Sequence, residues 1–159
     1  MTRINQLFNK LDQGSPVGPL VLRVTLGVLL LLNGLDKFSN GIAGVTDAFA
    51  SMGVPVPSVT APLAIVLEVF VGIALIVGVG TRVAGIIMTG FFAVAIATVK
   101  ADAGILGSAE IDLLYTAGLV ALVFVGPGAL AIDNLLAKKA GGSHPSVTPK
   151  NRISGARFA

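Results

Sequence analysis

Four long apolar runs dominate this chain, at about 19–38, 61–79, 82–100 and 111–132, each near the ~20 residues a helix needs to cross ~30 Å of hydrocarbon. A water-facing surface is not available to cover them. Of 159 residues, 54% are hydrophobic and 12% charged, about half the charged fraction of an ordinary soluble domain. Mean hydropathy is +0.90. Four runs with short connections predict an all-α integral membrane protein, a four-transmembrane-helix bundle with both termini on one side. Gly72, Gly78, Gly85, Gly90 and Gly118 are expected to let helix backbones approach closely, as small residues do in lipid.

Short interfacial helices are expected at the N-terminus and in the first outer loop. Ile4, Leu7, Phe8 and Leu11 form one apolar stripe at helical spacing; Ile42, Val45, Phe49 and Met52 form another. Gly53-Val54-Pro55-Val56-Pro57 then reads as an extended turn stiffened by prolines. Gly126-Pro127-Gly128 reads as a helix terminator followed by a surface turn, or as a kink after which Leu130, Ile132, Leu135 and Leu136 continue at the cytoplasmic interface with Lys138 and Lys139 at the headgroups. The chain therefore divides into an interfacial arm (1–18), a membrane domain (19–134) and a basic Gly/Ser/Pro-rich cytoplasmic tail (135–159).

Charge placement orients the bundle. The amino-terminal arm, the Gly80-Thr81-Arg82 turn and the tail hold Arg3, Lys10, Arg82, Lys138, Lys139, Lys150, Arg152 and Arg157. The other two connections hold only Lys37 and Lys100, against Asp36, Asp47, Asp102, Glu110 and Asp112. By the positive-inside rule both termini are cytoplasmic.

Much cofactor chemistry is excluded by composition. With no cysteine and His144 as its one histidine, the chain offers no thiolate nucleophile, no Cys- or His-cluster metal site and no bis-His haem. The net charge of +3 follows membrane orientation, so nucleic acid is not an expected partner.

Ionisable residues inside the spans need a partner or a purpose. Arg23, about 6 Å into the first span, either snorkels outward or reaches toward Glu68. Glu68 is ~10 Å from the outer boundary, too far for its side chain, so it is protonated, paired or faces a polar cavity. Arg23, Lys37 and Lys100 are its candidate partners. Asn33 and Lys37 share one face of the first span. Lys100 closes the third span, and Glu110 and Asp112 open the fourth, with Tyr115 one turn on. The set Arg23, Asn33, Lys37, Glu68, Lys100, Glu110, Asp112 and Tyr115 reads as a functional polar pocket or as a structural network holding register.

The same residues carry a family resemblance. Leu22-Arg23-Val24-Thr25-Leu26-Gly27 followed by Asn33-Gly34-Leu35-Asp36-Lys37-Phe38 resembles the opening of the DoxX family of four-span membrane proteins. Met52-Gly53-Val54-Pro55-Val56-Pro57 is similar to its first outer loop, and Leu67-Glu68-Val69-Phe70-Val71-Gly72 through Gly80-Thr81-Arg82-Val83-Ala84-Gly85 to its second and third spans. Glu110-Ile111-Asp112-Leu113-Leu114-Tyr115 and Gly126-Pro127-Gly128-Ala129-Leu130-Ala131-Ile132-Asp133 resemble its last span and ending. Family members often carry a histidine where Asn33 stands and another near Lys100; their absence argues against a proton-relay or metal role here. The resemblance implies a place in the bacterial inner (cytoplasmic) membrane and association with membrane oxidoreductases, since the family takes its name from a subunit of a quinone-linked thiosulfate-oxidising complex.

Two functions follow as expectations. One is a non-catalytic accessory or assembly subunit of a larger respiratory, quinone- or cytochrome-linked membrane complex, with lipid and larger membrane subunits as partners. The other is a quinone- or oxyanion-binding subunit of a thiosulfate:quinone-type oxidoreductase. In neither does the chain alone bind a cofactor, apart from a quinone or lipid at the bundle surface. A transporter or channel is disfavoured, because four short helices leave little lumen.

Overall fold

Proline and glycine set the helix boundaries. The computed structural model describes residues 16–100 and 110–140, and only the backbone of 99, 100 and 137–140. Helix α1 (Val17–Ser39) starts after Pro16 and ends at Asn40, ahead of Gly41 at φ 77°. Helix α2 (Ile42–Ser51) follows at once. Helix α3 (Pro57–Val77) carries proline at its first position, where the missing N–H has no intrahelical role, and stops at a left-handed Gly78. Helix α4 (Thr81–Ala95) runs into one π-helical turn, Ile96–Lys100. Helix α5 (Glu110–Val125) ends at Gly126, φ 88°, before Pro127, and α6 (Ile132–Ala140) resumes beyond it.

Every regular element among the described residues is helical. Three stretches are long and apolar enough to cross a membrane: Val17–Ser39, Pro57–Val77 and Thr81–Thr98. The fourth apolar run, expected to about 132, is helical only through α5, of 16 residues; residues 126–131 are not helical, and α6 starts at Ile132. The helix does terminate at Gly126-Pro127-Gly128 and a turn follows, but the chain then resumes as a helix, and the reason is visible. Asp133 N–H donates to the Gly78 carbonyl at 3.0 Å, and the Asp133 carboxylate accepts the N–H of Gly80 (2.7 Å) and of Thr81 (3.0 Å). A remote carboxylate thus caps α4 and pins the start of α6. The interfacial arm before residue 16 and the tail beyond 140 lie outside the described residues.

Helix α1 packs along α3 and α4 along α5, with α3–α4 and α1–α5 contacts closing the ring; α2 leans on α3. The α1–α3 contact is backbone to backbone. A Cβ on Gly72 would meet Leu31 N at 2.7 Å and Gly27 O at 2.9 Å, and one on Gly34 would meet Val69 N at 3.0 Å. Gly85 and Gly118 instead make room for side chains, those of Val123 and Leu26. Gly90 does not: nothing lies within 4 Å of where its Cβ would stand, so it is not a contact glycine in this chain. Leu30, Leu75, Met88, Leu119 and Leu122 fill the centre. Phe70, Leu114 and Phe124 point outward and largely exposed, which suits acyl chains rather than water.

Candidate functional site: polar groups beneath an apolar pocket

The close approach at Gly34 decides where the charged residues meet. Because α1 touches α3 there, Asn33 and Lys37 come level with Glu68. Lys37 Nζ donates to Glu68 Oε1. Glu68 is 2% exposed, and its Oε2 has no accessible surface and no hydrogen-bond partner among the described residues. Across the bundle, Asn33 Nδ2 donates to the Tyr115 hydroxyl at 2.8 Å. Tyr115 is stacked on Phe92, with ring centroids 5.3 Å apart and planes 11° apart, and Phe91 meets Phe92 edge-on at 6.0 Å.

Above these groups opens a cavity of about 440 Å³, in the range of small-molecule sites. Its walls are mostly apolar. Phe91, Phe92, Val94 and Ala95 come from α4, and Ile111 from α5; Phe49 and the turn residues Met52, Val54 and Pro55 form the side carried by α2. Helix α2 is seated by Val45 and Phe49 on Ala61 and Ile65 of α3. The π turn contributes Thr98, whose hydroxyl donates to the Val94 carbonyl at 2.8 Å.

Five of the eight residues singled out in the sequence line this one cavity: Asn33, Lys37, Glu68, Asp112 and Tyr115. Of Glu68's candidate partners, Lys37 makes the contact. Glu110 is exposed at the start of α5 and is not part of the lining. Lys100 ends the π turn, and its side chain lies outside the described residues.

Arg23 belongs to the other end of the bundle. It is 1% exposed, so it does not snorkel, and its guanidinium lies against Gly78, ten residues and about 15 Å along α3 from Glu68. Its Nε and Nη1 have no hydrogen-bond partner among the described residues. Asp133 stands near enough to interact with it electrostatically. Burial pushes the Asp133 carboxyl up, but the N–H groups of Thr81 and Gly80 and the Arg23 charge outweigh it and hold the acid below its usual range.

Within this architecture, a sequence model of the DoxX family matches residues 18–101, from α1 through the π turn into the connection beyond it. The chain belongs to the DoxX family. It is similar to a Bacillus subtilis protein named "Putative oxidoreductase CatD", 32% identical over 128 residues, which are 80% of this chain and 93% of that one. It is also similar to an Escherichia coli protein named "Inner membrane protein YqjF", 32% identical over 126 residues, 77% of this chain and 95% of the other. A Mycobacterium tuberculosis membrane protein is 29% identical over 138 residues, 79% of this chain and 85% of its own. No solved structure matches the chain.

Two features of this DoxX chain escape a reading by charge. Phe92, the platform for Tyr115, sits in an apolar run like any other core residue; the adjacent pair Phe91-Phe92 was its one visible signal. The Asp133 cap joins residues 52 and 53 apart in the chain. Its signal was a helix starting at Gly80-Thr81 with no nearby side chain to take the free N–H groups.

Proposed function

We propose that this DoxX protein is a small accessory subunit of a bacterial inner-membrane oxidoreductase, and that its pocket holds the head of a quinone. The observation that carries the reading is the composition of the cavity: apolar and aromatic walls, closed on one side by Lys37–Glu68 and Asn33–Tyr115. A quinone asks for a flat apolar slot with hydrogen-bond donors at one carbonyl. Lys37 and Tyr115 supply donors, and the pocket volume suits a ring and the first part of its tail. The chain has no cysteine and a single histidine, so electrons are handled by a partner subunit.

In this reading α5 completes a fourth crossing, α2 lies along the outer membrane face, and the pocket opens at that face. The basic ends lie in the cytoplasm. A relative bearing an oxidoreductase name and another bearing an inner-membrane name support the assignment.

Tyr115 is the only tyrosine and there is no tryptophan, so intrinsic fluorescence reports on the pocket directly. The full-length protein in detergent micelles is expected to bind menadione saturably, by tyrosine quenching and by calorimetry. The Lys37→Met/Glu68→Gln double variant is expected to lose that binding. Mild-detergent isolation is expected to bring down redox subunits at fixed stoichiometry. No saturable binding, together with recovery of the chain alone, overturns the proposal.

A further inference from the structure

The start of α6 is tied to the ends of three membrane-length helices. Asp133 N–H donates to the Gly78 carbonyl, just past α3, and the Asp133 carboxylate accepts the N–H groups of Gly80 and Thr81 at the start of α4. Ahead of α6, the Ala129 N–H donates to the Pro16 carbonyl at 2.9 Å, immediately before α1. The Asn134 side chain closes this loop by donating to the Gly128 carbonyl at 2.6 Å. Helix α3, of 21 residues, is about 31 Å long and matches the ~30 Å of hydrocarbon. The link at residues 78–81 therefore stands where acyl chains give way to headgroups, and α6 starts at that level.

What α6 turns outward there is apolar. Leu135 and Leu136 are exposed and share one face with Ile132, while Asn134 is exposed on the opposite side. Leu130, in the loop just ahead, is 85% exposed and held at φ 54°, a left-handed conformation that glycine adopts at less cost. Neither the backbone nor the packing of the bundle calls for a leucine at that position. A contact outside the chain does.

Charge indicates what kind of contact. Asp133 is committed to the cap of α4, and Lys138 and Lys139 follow it in α6. Arg82 is the second residue of α4 at the same end. Beyond α6 the sequence adds Lys150, Arg152 and Arg157 and no acidic side chain. Exposed leucines at the edge of the hydrocarbon, beside an excess of cations, fit a bilayer surface with anionic headgroups.

We propose that Leu130 and the Ile132–Leu135–Leu136 face of α6 lie in the boundary layer of the membrane, and that the lysines of α6 gather anionic phospholipids at this end of the bundle. The proposal is independent of what fills the pocket at the other end.

The chain has no cysteine, so a single introduced one takes a spin label without competition. Leu136→Cys and Asn134→Cys, each nitroxide-labelled in the full-length protein, are reconstituted into vesicles of equal parts phosphatidylcholine and phosphatidylglycerol. Power saturation is expected to find the label at 136 more accessible to oxygen than to a water-soluble nickel chelate, and the label at 134 the reverse. If the chelate reaches both labels equally, α6 lies in water; if the label at 136 is shielded from both reagents, its face is covered by protein. Either result overturns the proposal. The charge is tested by native mass spectrometry of the protein released from micelles holding the two lipids in equal amounts. Retained phosphatidylglycerol is expected to exceed phosphatidylcholine by about fivefold or more, the weight of one lysine near an anionic surface. Lys138→Gln/Lys139→Gln is expected to lower that ratio by at least the same factor. Equal retention by the wild type, or an enrichment that the double variant leaves unchanged, overturns the assignment of anionic lipid to α6.

Discussion

Lys37 gives a hydrogen bond to Glu68 one helical turn beyond Gly34, the residue that lets α1 rest directly on the backbone of α3. The ion pair depends on that approach, because a carboxylate 2% exposed has little access to water. Removing the cation alone leaves the acid stranded. Lys37→Met is expected to destabilise the protein by about 3 kcal/mol, read as a lower unfolding temperature in detergent. Lys37→Met/Glu68→Gln removes both charges and is expected to recover most of that loss.

The glycine contacts make a paired prediction. A Cβ at Gly72 meets backbone atoms of Leu31 and Gly27 that cannot yield, so Gly72→Ala forces α1 away from α3. The expected loss is about 1–3 kcal/mol, together with weakened ligand binding, because Lys37 moves relative to Glu68. Gly90→Ala adds the same atom where nothing lies within 4 Å, and is expected to change stability by less than about 0.5 kcal/mol. Thermal melts of the two variants under one detergent condition distinguish contact from mere composition.

Much of this was legible from the chain itself, and the reasons differ by level. Apolar runs of membrane length marked α1, α3 and α4, because lipid demands helices whose length matches its thickness. Glu68 was conspicuous because a carboxylate so far from both boundaries must find a partner. Which cation it takes depended on the α1–α3 crossing, set by Gly27, Gly34 and Gly72 together, and no local pattern encodes that. Arg23 shows the same limit from the other side: its depth in the span was readable, but its seat on Gly78 is a tertiary fact. The π turn at Ile96–Lys100, the Phe92–Tyr115 stack and the Asp133 cap all join segments that are silent when read alone.

Gly78 is constrained twice, and the two constraints can be separated. It sits at φ 80°, and a Cβ there would fall on Arg23 Nη1. Gly78→Ala is therefore expected to cost about 2 kcal/mol or more in unfolding free energy, from backbone strain plus the displaced guanidinium. In an Arg23→Ala background the clash with the guanidinium disappears, while the backbone strain and the approach to Ala131 Cα at 2.8 Å remain. The same substitution is then expected to cost less than in the wild type, by the share that belonged to the displaced guanidinium. Measuring all four proteins of this cycle by thermal unfolding gives the coupling; equal costs in both backgrounds would mean that Arg23 does not occupy the space above Gly78.

Asp133 makes stability depend on pH with a definite sign. Its folded carboxyl titrates below the usual range because the N–H groups of Thr81 and Gly80 and the Arg23 charge favour the anion more than burial opposes it. A group whose folded pKa is lowered stabilises the protein fully above its unfolded value, about 3.9, and loses that contribution as pH falls toward the folded value. Asp133→Asn keeps the shape but cannot offer two anionic oxygens to the start of α4. At pH 6–7 the variant is expected to be about 1 kcal/mol less stable than the wild type, the size of a lost helix cap. As pH falls below the unfolded value toward the folded one, the two melting temperatures are expected to converge, as the wild-type carboxyl takes up its proton. A gap that stayed constant across that range would assign the cost of the substitution to packing rather than to the charge that caps α4.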